Sequence, residues 1–331
     1  MGQSNGAIRG EDNVEFGIHL GTRGCLANRE NMMRVAADAE ANGYGILGVN
    51  DHLIMPATPD ATYPYTATGL HPAADHGQCF DAIATLAFLA GCTQRIKLLT
   101  SVIVVPHRPA VLTAKLFQTA DVLSGGRIIV GVGAGWMKAE FVALGTEPFE
   151  ERGAVTDEYI EAWQKLWTQD RPSMHGKYVQ FDNVIFEPKP VSKPHPPIWV
   201  GGESGPSLRR AAKYGDAWYP GSNNTRFPLN TPGRLKGGIE RLHRAAEKEG
   251  RDPASIDIAY VSPAPPSWTP RESPDGGRQM FSGSSDDMLA DTAALEAVGV
   301  KHLIVHPQRP TIEQTLDVLQ RFGEDVIRKA S

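Results

Sequence analysis

Eight short apolar runs, spaced along the whole chain and separated by stretches of helical period, constrain this sequence more than any other feature. They begin near Glu15, Gly45, Ile96, Arg127, Pro197, Asp216, Ile256 and Lys301. Each is a near-continuous hydrophobic stretch, as parallel strands buried on both faces require. Helix punctuation falls between them. Asn28 is placed to N-cap a helix whose Met32, Val35, Ala36 and Ala39 share one face, with Asn42-Gly43 as its stop. Pro109 suits a first helical residue ahead of Leu112, Leu116, Ala120 and Leu123, and Gly125-Gly126 ends that run. Thr311 and Gln314 make a capping-box pattern. Eight strand–helix repeats predict an α/β fold, a (β/α)8 TIM barrel with insertions at its C-terminal face. The expected organisation is a single domain over residues 1–331, with 1–13 as a flexible N-terminus.

Glycine and proline are in surplus, 34 and 25 residues, about 18% of the chain against an average near 12%. Many lie in three long connections, 55–79, 136–196 and 263–284. All three follow strands and so belong to the C-terminal rim, where barrels keep their chemistry. The second is expected to hold a helix over Val155–Trp167 and a hairpin over His175–Pro188. Ordered lids over a ligand are the expectation.

Net charge is -5, which argues against a polyanion or anionic-membrane partner. No apolar run reaches the roughly 18 residues of a membrane span. Three cysteines without a CxxC spacing suit a reducing cytoplasm.

Several motifs bear chemistry. Asp51-His52 ends the second strand at the rim, where an imidazole is able to exchange a proton near neutral pH. Gly131-Val132-Gly133-Ala134-Gly135-Trp136 leaves a strand but has Trp136 where a dinucleotide loop needs Gly. Gly201-Gly202-Glu203-Ser204-Gly205-Pro206-Ser207 precedes a helix and exposes backbone N–H groups at its positive end, which is a phosphate-binding arrangement or a plain βα turn. His71, His76 and Cys79 fit no zinc spacing, so no metal is expected. His302 and His306 read as structural. The end of the seventh strand, Val261-Ser262-Pro263, carries no acid, which counts against a glycosidase.

Taken together, Asn50-Asp51-His52, Leu99-Thr100-Ser101-Val102, Leu123-Ser124-Gly125-Gly126-Arg127, the Gly131–Trp136 loop and Pro196-Pro197-Ile198-Trp199-Val200-Gly201-Gly202 make the chain resemble the bacterial-luciferase-like superfamily. Within it, the chain looks most like the branch assigned to the deazaflavin coenzyme F420. Glu151-Arg152-Gly153 and Phe186-Glu187-Pro188-Lys189-Pro190 match the same branch, and the resemblance runs from about Phe16 to about Tyr219. It implies that Asp51 contacts the ring system and that His52 serves the reacting carbon as acid/base or polarising group. It further implies a Ser101-Val102 bulge behind the ring, often a non-prolyl cis bond. Ala134 and Gly135 would line the cofactor, and Gly201, Gly202, Glu203 and Ser204 would hold its phosphate. Trp136 stands where sugar-phosphate members carry a catalytic glutamate, which shifts the expected substrate away from sugar phosphates. Trp136 is then expected to shape an apolar wall of the catalytic centre, with Glu140 too far along to reach the ring. Tyr63, Tyr65 and His71 become candidate substrate contacts.

The resulting expectation is a cytoplasmic, homodimeric, coenzyme F420-dependent oxidoreductase acting on a small organic molecule. One alternative is an FMN-dependent two-component monooxygenase fed by a separate reductase. The other is a non-catalytic flavin carrier.

Overall fold

In a computed structural model the described residues are 14–57, 61–74, 76–273 and 275–330; the N-terminal segment 1–13 lies outside them. All eight apolar runs are strands: β1 (Glu15–Leu20), β2 (Ile46–Val49), β3 (Lys97–Thr100), β4 (Ile128–Gly133), β5 (Ile198–Gly201), β6 (Ala217–Tyr219), β7 (Asp257–Val261) and β8 (Val300–Val305). Every neighbouring pair is parallel. β1 pairs with β8, with Phe16 opposite Leu303, and β3 pairs with β4, with Leu98 opposite Ile128, so the sheet closes on itself. The fold is the expected (β/α)8 barrel. A short extra strand, Ile103–Val104, runs beside the end of β4.

Alternation along the strands divides the core in two. Ile46, Leu99, Ile129, Trp199, Tyr219 and Ile304 fill the barrel interior. Their neighbours, such as Leu47, Leu98, Val130 and Leu303, face outward under the helices. Two interior positions must be glycine. A Cβ on Gly17 would stand 2.5 Å from Ile304 Cδ1, and one on Gly131 would overlap the carbonyl oxygen of Thr100. The Thr100 hydroxyl donates to the Gly131 carbonyl at 2.8 Å, fixing this close approach of β3 and β4.

The helix signals translate with two corrections. Asn28 caps helix Arg29–Ala41 by accepting the Asn31 N–H, and Gly43 follows it at φ +87°. Thr311 accepts the Gln314 N–H. In helix Ala110–Ser124, however, Pro109 is the N-cap and Ala110 the first helical residue. The buried face is also different from the one expected. Leu112, Leu116 and Leu123 are 52%, 38% and 70% exposed, while Thr113, Phe117, Gln118, Asp121 and Ser124 are buried. Polar partners explain the inversion: Asp121 accepts the Ser192 N–H and hydroxyl, and the Trp163 and Trp167 indoles donate to Ala110 and Ala114 carbonyls.

The second lid contains two helices, Lys138–Leu144 and Arg152–Thr168, of which only the second was expected. Its hairpin is shorter than predicted, pairing Met174–His175 with Gln180–Phe181. Glu158 accepts the N–H groups of Tyr178 and Val179 and so holds the turn. Beyond it, four prolines between 188 and 196 leave no continuous row of ladder donors. Among the described residues no helix is long and apolar enough to cross a membrane.

The Gly131 contact yields a prediction. Gly131→Ala forces a methyl into backbone, which has nowhere to swing, and should cost about 3 kcal/mol or more. Thermal or urea unfolding checks this; an unchanged midpoint would show the interior to be looser than it looks.

Candidate active site

The strand C-termini and the lids enclose a cavity of about 930 Å³. His52, leaving β2, is buried at its wall. Its Nδ1 lies 3.0 Å from Glu140 Oε2, and Glu140 Oε1 accepts the Leu53 N–H at 2.7 Å. Glu140 thus fixes both the imidazole and the backbone that carries it. Burial alone would push this carboxyl up, but hydrogen bonding to His52, the His52 and His107 charges and the Leu53 N–H together bring it below the usual range. A carboxylate on Nδ1 places the exchangeable chemistry at Nε2, which has no protein partner among the described residues. His107 lies behind Glu140 with Nε2 at 3.9 Å, and burial, against the pull of Glu140 and Asp51, holds its imidazole below the usual range.

Asp51, expected to contact the ring system, has a structural task at the rim. Its side chain is fully buried, accepting two bonds from the Arg108 fork at 2.8 and 2.9 Å and the Val104 N–H at 3.0 Å. A carboxylate so engaged anchors the rim, and Asp51 lines the cavity from that position. Ser101-Val102 is cis and lines the cavity. The Ser101 hydroxyl sits 2.8 Å from both His19 Nδ1 and the Tyr219 hydroxyl. Ala134 and Gly135 also line the cavity, Gly135 at φ +86°, where a Cβ would press on Val104 and Phe141.

At the end of β5, Gly201, Gly202 and Ser204 face the cavity. Gly202 has φ +98°, and a Cβ there would stand 2.6 Å from Ser207 Oγ. Ser204 caps the ten-residue helix Gly205–Tyr214, with Ser207 Oγ 3.0 Å from its hydroxyl. Arg152 lines the same corner, tied to the Gly135 and Phe149 carbonyls through Nε and Nη1. A positive helix end, two hydroxyls and a guanidinium around a floor without Cβ atoms fit a phosphate group. Glu203 is the correction here. It turns away from the cradle and accepts the Gly221 N–H, the Asn224 amide and the Tyr65 hydroxyl. Its carboxyl is pushed up to about 7 by burial, with those three donors holding it back. A carboxylate in the cradle itself would repel phosphate.

The remaining candidates meet in one cluster. His52 lies 4.6 Å from His71 and 6.1 Å from Trp136 between ring centres; Tyr63 lies 4.8 Å from His71 and 5.2 Å from Trp136. Tyr65 tilts against Tyr63 and reaches Glu203. His76 Nδ1 accepts the Gln78 N–H at 3.0 Å, and Cys79 accepts from the Asn50 amide at 2.9 Å. His302 is bound between Glu15 and Asp257 at the far end of the barrel.

Sequence reasoning passed over Arg108 and gave Glu140 and Ser207 no role of their own. Glu140 could have been found as an acid beside buried Phe141 on a helix starting at the rim. Arg108, 57 residues from Asp51, left no local trace.

The barrel rim thus brings a buried imidazole–carboxylate pair and a cradle that fits a phosphate group to one cavity. The chain matches the luciferase-like monooxygenases over residues 14–275, and it belongs to that family of enzymes. It is 39% identical over 140 residues to an FMNH(2)-dependent dimethylsulfone monooxygenase of Pseudomonas putida, covering 41% of this chain and 38% of that enzyme. An uncharacterized protein of Mycobacterium tuberculosis is 31% identical over 296 residues, 89% of this chain and 94% of the relative. The coenzyme F420 dependent tetrahydromethanopterin reductase of Methanopyrus kandleri superposes with a TM-score of 0.70 at 17% identity, covering 96% of this chain and all of that one.

Two predictions arise from this geometry. Glu140→Gln should lower kcat about 10²- to 10³-fold with cofactor affinity little changed, because the imidazole loses its anionic partner. Steady-state kinetics alongside a cofactor titration separates the two quantities. Glu203, with a folded value above its unfolded one, binds more protons folded than unfolded between about pH 4.5 and 7. Stability should therefore fall as pH rises through that window, by up to about 3 kcal/mol. In Glu203→Gln this slope should vanish; a parallel slope in urea melts would sink the assignment.

Proposed function

We propose that this chain is a coenzyme F420-dependent oxidoreductase acting on a small organic substrate. The observation that carries this reading is the His52–Glu140 pair, opening onto the same cavity as the cradle at Gly201, Gly202 and Ser204. When bound, the deazaflavin would supply or accept hydride. The protein's part is the rest. Ser204, Ser207, Arg152 and the helix N–H groups would hold the phosphate. Ser101-Val102, Ala134 and Gly135 would back the ring, while Asp51 keeps the rim in shape through Arg108. His52 would move a proton at Nε2, its orientation set by Glu140. Trp136, Tyr63 and His71 would wall the substrate space, and the lids would exclude water. Tyr65 joins a lid to the cradle loop through Glu203.

The second reading, an FMN-dependent monooxygenase supplied by a separate reductase, is favoured by the 39% identity to the dimethylsulfone enzyme. The non-catalytic carrier has the least support, since the His52–Glu140 pair serves no purpose in mere storage. A homodimer is supported by the exposed row Leu112, Leu116 and Leu123, and a cytoplasmic setting by three unpaired cysteines. The whole chain is taken as one barrel domain.

Titrating the purified protein with coenzyme F420 and with FMN, by fluorescence quenching, tests the choice. Micromolar coenzyme F420 binding with weak FMN binding is the expected outcome; the reverse order replaces the first reading by the second. His52→Ala should keep the cofactor affinity and lose turnover, and tight binding without turnover in the wild type would favour the carrier.

A further inference from the structure

Several buried or half-buried arginines have their donors taken. Arg108 holds two carboxylates, Arg210 holds Asp157, Arg127 caps a set of carbonyls, and Arg309 donates to the carbonyls of residues 306–308 and Pro266. Arg23 is different. It leaves the end of β1 and lines the cavity, half-buried, and among the described residues its guanidinium makes no hydrogen bond or ion pair.

Its position is built. The side chain folds back over Gly21, where any Cβ would overlap Nη1 and stand 2.6 Å from Cζ. The backbone beneath is pinned on both sides. Gln308 accepts the Gly21 N–H at 2.9 Å and donates to the Arg23 carbonyl at 3.0 Å, and Thr22 N–H donates to Asn50 at 2.9 Å. A guanidinium on fixed backbone, with its donors unspent, is organised for an incoming acceptor.

The surroundings decide the acceptor's charge. Acids around the cavity are already engaged: Asp51 with Arg108, Glu140 with His52, Glu203 with Tyr65 and Asn224, and Glu150 with Lys138. His19, His71 and His306 lie close enough to feel the Arg23 charge. Burial first, and repulsion from the Arg23 charge after it, holds all three below the usual imidazole range. The guanidinium of Arg309 brings charge nearby, but its donors are taken by carbonyls. One free planar fork matches one carboxylate, in the bidentate geometry that arginine and carboxylate share. Tyr63 and His71 stand between Arg23 and His52, so an acid held there would extend its body along Tyr63 and Trp136 toward the proton-handling pair.

We propose that Arg23 is the anion seat of the substrate pocket and that the substrate is a monocarboxylate with an apolar or planar body. This deepens the oxidoreductase reading and rests on it for the word substrate, but the seat can be tested alone. Benzoate and its neutral isostere benzamide serve as probes. Their binding is measured by calorimetry to wild type, Arg23→Gln and Arg23→Lys, each with and without the bound cofactor. Wild type should prefer benzoate about ten- to a hundredfold. Arg23→Gln should abolish the preference and Arg23→Lys restore part of it, with unchanged melting temperatures and unchanged cofactor affinity. Equal affinity for the two probes in wild type, no benzoate binding at millimolar concentration, or a preference that survives Arg23→Gln overturns the proposal. So does loss of cofactor affinity in Arg23→Gln, which would give the guanidinium to the cofactor. An Arg23-dependent benzoate preference in a protein that takes up neither cofactor would keep the seat and remove the cofactor reading.

Discussion

The rim of this barrel hangs on one buried ion pair. Asp51 ends the second strand, Arg108 follows the third, and the same guanidinium reaches Asp81, the N-cap of helix Ala82–Cys92. Burial would discharge Arg108, yet its two carboxylates more than offset that and hold it above the usual arginine value. Removing either partner from such a pair leaves an uncompensated buried charge, typically worth 3–5 kcal/mol. The geometry gives that cost a direction. His52 is the next residue after Asp51, and Val104, whose N–H also binds Asp51, follows the Ser101-Val102 peptide. The wall behind the cavity and the imidazole beside it are therefore referenced to a single anchor.

The strands were legible because parallel barrel strands are apolar on both faces, so each announces itself in three to six consecutive residues. The rim glycines were legible for a related reason: a chain that turns where ligands approach must drop its Cβ atoms, and Gly135 and Gly202 do so at positive φ. Helix Ala110–Ser124 resisted the same treatment. Its leucines face outward, and its inner face is built from Thr113, Gln118, Asp121 and Ser124, whose partners lie as many as 71 residues away. Periodicity detects a stripe without telling which side the core is on.

The site divides in the same way. The cavity-facing residues His52, Trp136, Tyr63 and His71 could be picked from motifs and rim position, and the fold brings their rings together. The structural tasks of Asp51 and Glu203 were not legible, because a carboxylate's task depends on which donors reach it. Arg108 and Val104 claim the first; Gly221, Asn224 and Tyr65 claim the second. Glu140 was set aside on its distance along the chain, although the first turn of helix Lys138–Leu144 brings it straight back to His52.

The short interval from Trp136 to Glu140 has a consequence for how this scaffold diversifies. The residue at 136 faces the cavity, whereas the residue at 140 holds the imidazole from behind. On the proposed function, selectivity and proton management are written on separate letters of one segment. A lineage could exchange the first to admit new molecules and leave the second untouched, changing what is processed without rebuilding how.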